Sequence, residues 1–155
     1  MTEFDSREKL SVLLPHKGKM LLLDKVLSFD FPKMEIETEV RIGRECMFFE
    51  ESLGGVPVWV GFEYMAQSVS CLSGLSDRER GIPPKMGFIL SVTNFCVDGN
   101  VFPLGSALRI RVRQSMRLES TVTLEGEIFI GDKWMAKATI HALEVDNPQK
   151  ILGVS

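Results

Sequence analysis

The chain has 155 residues, of which 45% are hydrophobic and 25% are charged, and its formal net charge at pH 7 is −3. These values are typical of one globular domain, residues 1–155, with a substantial core. The small negative charge argues against nucleic acid or an anionic membrane as the partner. The N-terminus lacks the apolar core of a signal peptide, and Glu63 and Gln67 interrupt the longest apolar stretch, so neither export nor a membrane span is predicted.

The three cysteines, Cys46, Cys71 and Cys96, are far apart and odd in number, which argues against a disulfide framework and against a CxxC motif. They indicate a reducing, cytoplasmic setting. No group of His, Cys, Asp and Glu has the spacing of metal ligands, and no glycine-rich phosphate loop is present. The sequence therefore predicts no metal and no cofactor.

The first part of the chain predicts a short helix and a hairpin. Asp5 and Glu8 have the spacing of a capping box, which predicts a helix that ends near Leu13. Residues 20–30 are rich in Leu and Val and predict a strand. Residues 34–42 alternate between apolar and charged side chains, which predicts an antiparallel strand with one solvated face.

A long helix is predicted over residues 58–75, where Glu63 and Gln67 lie one turn apart on the same face of an otherwise apolar segment. A helix that is apolar on all sides is usually buried, and a buried carboxylate is costly unless it is paired or protonated. Glu63 is therefore the first candidate for a proton-transfer residue. The alternative is a core acid that Gln67 or a main-chain amide satisfies.

The second half of the chain predicts a run of antiparallel strands. Residues 131–132 (GD) carry a hairpin signal between the last two. The small side chains of Ala136, Ala138 and Ala142 would let the last strand approach a helix closely. Hairpin, helix and strands together predict an α+β arrangement in which a curved antiparallel sheet wraps around one long central helix. The predicted strands are residues 87–97, 106–118, 121–130 and 134–145.

Three segments resemble motifs of the β-hydroxyacyl-(acyl-carrier-protein) dehydratases, in that family's order. Residues 13–26 (LLPHKGKMLLLDKV) resemble the opening motif, residues 63–67 (EYMAQ) the EAMAQ helix motif, and residues 102–108 (FPLGSAL) the PGDxL motif. Residues 57–67 (PVWVGFEYMAQ) are most similar to the branch linked to aryl-polyene pigment clusters. The resemblance implies a hot-dog fold and active sites at the interface of a homodimer, or of a heterodimer with a related dehydratase.

The resemblance also implies an activity, with one departure from the family pattern. The expected reaction converts 3-hydroxyacyl thioesters, held on the phosphopantetheine arm of acyl carrier protein, into trans-2-enoyl thioesters, and it needs no cofactor. The family carries its catalytic His in a loop before the helix, whereas residues 48–57 (FFEESLGGVP) contain none. Two alternatives stay open: a hot-dog thioesterase whose helix carboxylate activates water, and a catalytically inactive partner subunit.

His16 is the candidate base in place of the missing loop histidine, because the chain has only two His and His141 falls on the outer side of the last strand. Glu63, from the other subunit, would be the acid, and Gln67 would orient it. The alternative for His16 is a residue of a surface turn. The arginines at 109, 111, 113 and 117 could dock an acidic carrier protein, and the alternative for them is an ordinary solvated strand face.

Two further sets of residues complete the predicted site. Main-chain amides near the start of the helix would hold the thioester oxygen, and apolar side chains would line a tunnel for the acyl chain. A plain glycine turn is the alternative for the first set. The amides are those of Gly54, Gly55 and Val58, and the tunnel residues are Phe62, Met65 and Phe88.

Overall fold

The computed structural model describes residues 3–14, 18–83 and 86–145, so the predicted base His16 lies outside the described residues. Two helices and eight strands form this part of the chain, with short 3₁₀ turns at Gly18–Met20 and Val58–Val60. The helices are α1 (Arg7–Leu10) and α2 (Gly61–Glu79). The strands are β1 (Lys25–Asp30), β2 (Glu35–Arg41), β3 (Gly55–Pro57), β4 (Met86–Val97), β5 (Val101–Pro103), β6 (Ala107–Leu118), β7 (Thr121–Ile130) and β8 (Lys133–Val145).

Six of the strands form one antiparallel sheet in the order β1-β2-β6-β7-β8-β4, and β3 pairs with β5 in a small separate sheet. Helix α2 contacts β2, β4, β6, β7 and β8. Its apolar side chains join those of the sheet in one hydrophobic core. A single long helix against a broad antiparallel sheet is the hot-dog fold that the resemblance implied.

Alternation along the strands decides which face of the sheet packs on α2. On β2, Ile36, Thr38 and Val40 are buried, and the equivalent apolar positions of β6 to β8 are buried with them. The opposite face carries cross-strand ion pairs, such as Arg109 Nη1 to Glu37 Oε1 at 3.0 Å. Buried and exposed side chains thus alternate along the strands as predicted, because one face of the sheet packs on the helix and the other is exposed to solvent.

Small residues bring the helix close to the sheet. An added Cβ at Gly126 would lie 2.7 Å from the sulfur of Met65, so only glycine fits against α2 there. Ala138, which is buried, is the cross-strand partner of Gly126 on β8. The helix and the sheet therefore come closest beside Gly126, whereas Ala142, one of the alanines predicted to allow close packing, faces an open space beside the helix.

The first helix, α1, differs from its prediction in its N-cap residue and in its length. Ser6, not Asp5, is the N-cap of α1, because its Oγ accepts from the Lys9 amide at 3.3 Å. Asp5 instead pairs with Lys9 Nζ at 2.9 Å. The helix is a single turn that ends at Leu10 rather than near Leu13.

The first strand and the central helix also differ at their ends. β1 begins at Lys25 rather than at residue 20, because the main chain of residues 20 and 22 is bound by a side chain of α2. α2 continues to Glu79, about one turn beyond its predicted end. The three-residue strands β3 and β5 were not predicted, since three residues are too few for a periodic pattern.

Candidate active site

Glu63 lies in the first turn of α2 and lines a cavity of about 1200 Å³ between the helix and the sheet. The side chain is half-buried rather than enclosed, which differs from the fully buried acid that the sequence suggested. Among the residues that the structure describes, none hydrogen-bonds or ion-pairs with its carboxylate. The group is therefore available to a ligand in the cavity.

The cavity runs along one face of α2. Residues at spacings of three and four line it from the helix side, beginning with Glu63, Ala66, Gln67, Ser70 and Ser73. After the acid and the amide, these side chains are small and leave space against the sheet. Apolar side chains of the facing walls make the middle of the cavity hydrophobic, among them Leu13, Leu14, Val122, Leu124 and Ala142.

Gln67 binds main chain rather than Glu63. Its Oε1 accepts from the Leu22 amide at 2.9 Å, and its Nε2 donates to the Met20 carbonyl at 2.7 Å. The side chain is 3% exposed, so these two bonds satisfy a buried amide. Gln67 thus fixes the segment that precedes β1 against the helix, and it does not orient Glu63 directly as the sequence analysis expected.

The three predicted amide donors already have main-chain acceptors. The Gly54 amide donates to the Glu50 carbonyl at 3.0 Å, and the Gly55 amide reaches the same oxygen at 3.4 Å. The Val58 amide donates to the Asn100 carbonyl at 3.2 Å. A thioester oxygen would have to displace one of these carbonyls or use another amide at the start of the helix.

Both glycines have structural reasons to be glycine. Gly54 has a φ of +68°, which side-chain-bearing residues rarely adopt. A Cβ at Gly55 would lie 2.1 Å from the Phe102 carbonyl oxygen. A plain glycine turn, which was the alternative to an amide site for the thioester oxygen, therefore explains why both positions are glycine.

None of the three predicted tunnel residues lines the cavity. Phe62 and Met65 stand one and two positions from Glu63, so a helix turns them about 100° and 200° away from it. Phe62 packs edge-on against Phe95, and Met65 is fully buried against Gly126.

The same argument applies to the strand residue Phe88. Neighbouring side chains of a strand point to opposite faces. Gly87 and Ile89, which flank Phe88 on β4, line the cavity. Phe88 itself therefore lies on the other face of the strand.

The other candidates have structural surroundings. His141 is half-buried on β8, where its Nδ1 lies 3.2 Å from Thr123 Oγ1 on β7, which fits the structural role expected of it. Cys71 is fully buried on α2, and burial raises the pKa of its thiol to about 12. Such a thiol is a core residue and not a nucleophile.

The arginine face of β6 is paired within the sheet. Arg111 Nε bonds to Glu35 Oε1 at 2.8 Å, and the Arg109 guanidinium lies over the Phe129 ring at 4.7 Å. For Arg109 and Arg111 these contacts give the ordinary solvated strand face that was one of the two alternatives. Arg117 differs from both alternatives, because it lines the cavity and pairs with Glu144.

The described residues contain neither a cluster of metal-binding side chains nor a helix that could span a membrane. Within residues 3–14, 18–83 and 86–145, no three side chains of His, Cys, Asp or Glu are grouped to hold a metal ion. Over the same ranges, no helix combines the length and apolarity that crossing a membrane requires.

The fold and sequence resemble those of characterised proteins. A 3-hydroxyacyl-[acyl-carrier-protein] dehydratase FabZ of Legionella pneumophila (strain Corby) is 26% identical over 144 residues, which cover 90% of this chain and 94% of the relative. The dehydratase heterocomplex ApeI:P of Xenorhabdus doucetiae contains a chain that superposes with a TM-score of 0.83 at 23% identity, covering 92% of this chain and 95% of that one.

The same fold occurs with a bound thioester in a more distant protein. The smu.793 protein of Streptococcus mutans, solved with acetyl CoA, superposes with a TM-score of 0.61 at 15% identity, covering 79% of this chain and 88% of that one. At these low identities the two structural likenesses show the fold alone. The family model described as ApeP-like, ApeP dehydratase, matches residues 8–153. Because that match spans nearly the whole chain, the protein belongs to the ApeP-like dehydratase family and is a dehydratase with the hot-dog fold.

Proposed function

We propose that this protein dehydrates 3-hydroxyacyl thioesters carried on acyl carrier protein to trans-2-enoyl thioesters, in fatty-acid or polyene synthesis. The observation that carries the proposal is the position of Glu63, an unpaired carboxyl group within the described residues, at one end of a large cavity with an apolar middle. Membership of a dehydratase family and likeness to the FabZ enzymes support this reaction. The free thiols Cys46, Cys71 and Cys96 fit a reducing cytoplasm.

In the proposed mechanism, Glu63 is the general acid. A base removes the proton on the carbon next to the thioester carbonyl, and the electron pair forms the new carbon–carbon double bond. Glu63 gives its proton to the departing 3-hydroxyl group, which leaves as water. The reaction needs an acid, a base and a polarised carbonyl, which protein groups alone can supply.

We assign the base to His16. The described residues on either side of it contact α2 of the same chain. A Cβ added at Gly74 would lie 2.9 Å from the Leu13 carbonyl oxygen, and Met20 and Leu22 are bound by Gln67, one turn from Glu63. The proposed pair joins His16 of one subunit to Glu63 of the other, because the resemblance implies active sites at a dimer interface, and a mixed dimer tests it.

A dimer is proposed through the edge strand β4. The twelve residues of β4 carry no charged side chain, and among the described residues no strand pairs with its outer side at the end of the sheet. On this strand the side chain of Leu90 is 59% exposed. Exposed strand edges are normally protected by charges or cover, so an uncharged apolar edge marks an interface. The partner is a second copy or a related dehydratase, as in the ApeI:P heterocomplex.

The purified chain should be a dimer at micromolar concentration by light scattering. Leu90→Arg should shift it towards the monomer, because a charge would enter a desolvated interface. The matched control is Leu118→Arg on the β6–β7 hairpin, where the side chain is 72% exposed and lies off this edge. A monomeric wild type would contradict the homodimer, and equal behaviour of the two variants would contradict the β4 interface.

The proposed reaction is tested with a panel of 3-hydroxyacyl chains on acyl carrier protein, of alkyl and aryl type, followed by mass spectrometry. We expect loss of one water from the acyl group, with the same rate in the presence of a metal chelator. Release of free carrier thiol would favour the thioesterase alternative. Turnover that stops on chelation would contradict the mechanism.

The second candidate function is an inactive partner subunit. The loop of residues 48–57, which lacks the family's histidine, favours it. In that case the chain alone should bind acyl carrier thioesters without turnover, and adding a related dehydratase should restore activity that is insensitive to Glu63→Gln.

A further inference from the structure

A network of polar side chains lines the cavity at a distance from Glu63. Ser73 Oγ donates to Glu144 Oε2 at 2.6 Å, and Arg117 forms an ion pair with the other oxygen of the same carboxylate. Arg117 also donates to Gln114 Oε1 at 3.3 Å. All four side chains line the cavity.

This polar network lies at a distance suited to the far end of a bound chain. Ser73 follows Glu63 by ten residues on α2, which is about 15 Å along the helix axis at about 1.5 Å per residue. Apolar side chains such as Val69, Val122 and Leu124 line the cavity between Glu63 and the network. An acyl chain whose reacting carbons lie at Glu63 would therefore pass an apolar wall before it meets polar groups.

The network discriminates between end groups because its carboxylate is largely removed from water. The Glu144 side chain is 12% exposed and that of Arg117 is 36% exposed. A methyl end would cover these groups and give them no hydrogen bond, which is costly. Asp77, Glu79 and Arg80 line the cavity further along α2, where Arg80 pairs with Asp77 at 3.0 Å. Within the network, one carboxylate and one guanidinium balance in charge, so the network offers both donors and acceptors to a neutral hydroxyl group.

We propose that Ser73, Glu144 and Arg117 form a specificity site that selects acyl chains with a neutral, hydroxyl-bearing distal end over chains that end in methyl. The proposal rests on the proposed acyl-thioester function, because it places the reacting end of the chain at Glu63. Glu144 is the central residue of the site, since it contacts both of the others.

The test measures binding and not turnover. The probes are saturated acyl-pantetheine amides in matched pairs that end in hydroxyl or methyl, compared at the chain length that binds most tightly. They carry no 3-hydroxyl and no thioester, so the protein can neither dehydrate nor hydrolyse them. For the wild type, the hydroxyl-ended probe should have a Kd about tenfold lower, as one hydrogen bond to a charged group would give.

Glu144→Gln should reduce that ratio several-fold and leave the Kd of the methyl-ended probe nearly unchanged. The matched control is Glu125→Gln on β7. Glu125 also accepts a hydroxyl bond, from Thr139 Oγ1 at 2.9 Å, but it lies on the exposed face of the sheet. This control should keep the wild-type ratio, and circular dichroism should show that both variants fold.

Equal Kd values for the two wild-type probes, or tighter binding of the methyl-ended probe, would overturn the proposal. An equal loss of affinity for both probes in Glu144→Gln would do the same, because it would show a purely structural pin between α2 and β8. A retained hydroxyl preference in a protein that turns over no thioester would overturn the proposed reaction and leave the specificity site in place.

Discussion

Glu63→Gln should lower kcat for dehydration by about 10²–10⁴-fold, the usual effect of removing a positioned acid or base. The amide has nearly the shape of the carboxyl group but cannot donate a proton to the departing hydroxyl. KM should change little, because the acyl chain is held by the apolar walls of the cavity. Folding should also be little affected, since no described residue depends on this carboxylate for a bond. Steady-state kinetics and thermal melting measure the two effects.

The control for Glu63 is Glu127→Gln. Glu127 is also half-buried, but it lies on the outer face of β7, away from α2. Its variant should keep near-normal turnover. If Glu63→Gln also turned over normally, Glu63 would be a satisfied helix acid, and the proposed acid would lie elsewhere.

The sequence predicted the fold through features that act over short distances. Alternation along β2 and β6 and the long apolar segment of α2 are local patterns, and the structure confirms them. The start of β1 could not be predicted in this way. Residues 20 and 22 have strand-like side chains, but Gln67, 45 residues beyond Leu22, takes their main-chain groups.

The site was harder to predict than the fold. Helical spacing correctly placed Glu63 and Gln67 on one face of the helix. It could not show that the Gln67 side chain hydrogen-bonds to the main chain of Met20 and Leu22. The predicted tunnel residues have large side chains, whereas the cavity lies where the side chains of α2 are small. Ala66, Ser70 and Ser73 follow Glu63 at spacings of three and four, and that stripe was the available signal.

His16→Ala should lower kcat by about 10²–10⁴-fold, as the loss of a positioned base does. Its pH profile should lose the limb that reports the ionisation of the imidazole, because a His base works only when neutral. His141→Ala is the matched control and should keep near-normal turnover, since His141 contacts Thr123 within the sheet. Normal turnover by His16→Ala would remove the proposed base and favour the thioesterase or inactive-partner functions.

A mixed dimer of His16→Ala and Glu63→Gln subunits shows which chain supplies each residue. If the pair forms within one chain, every site of the mixed dimer carries one substitution, and activity should stay at the level of the single variants. If the pair forms across the interface, one site has both native residues and about half of the wild-type turnover returns. We expect this recovery, because the family resemblance implies active sites at the interface of a dimer. Activity that stays at the level of the single variants would place the acid and the base within one subunit.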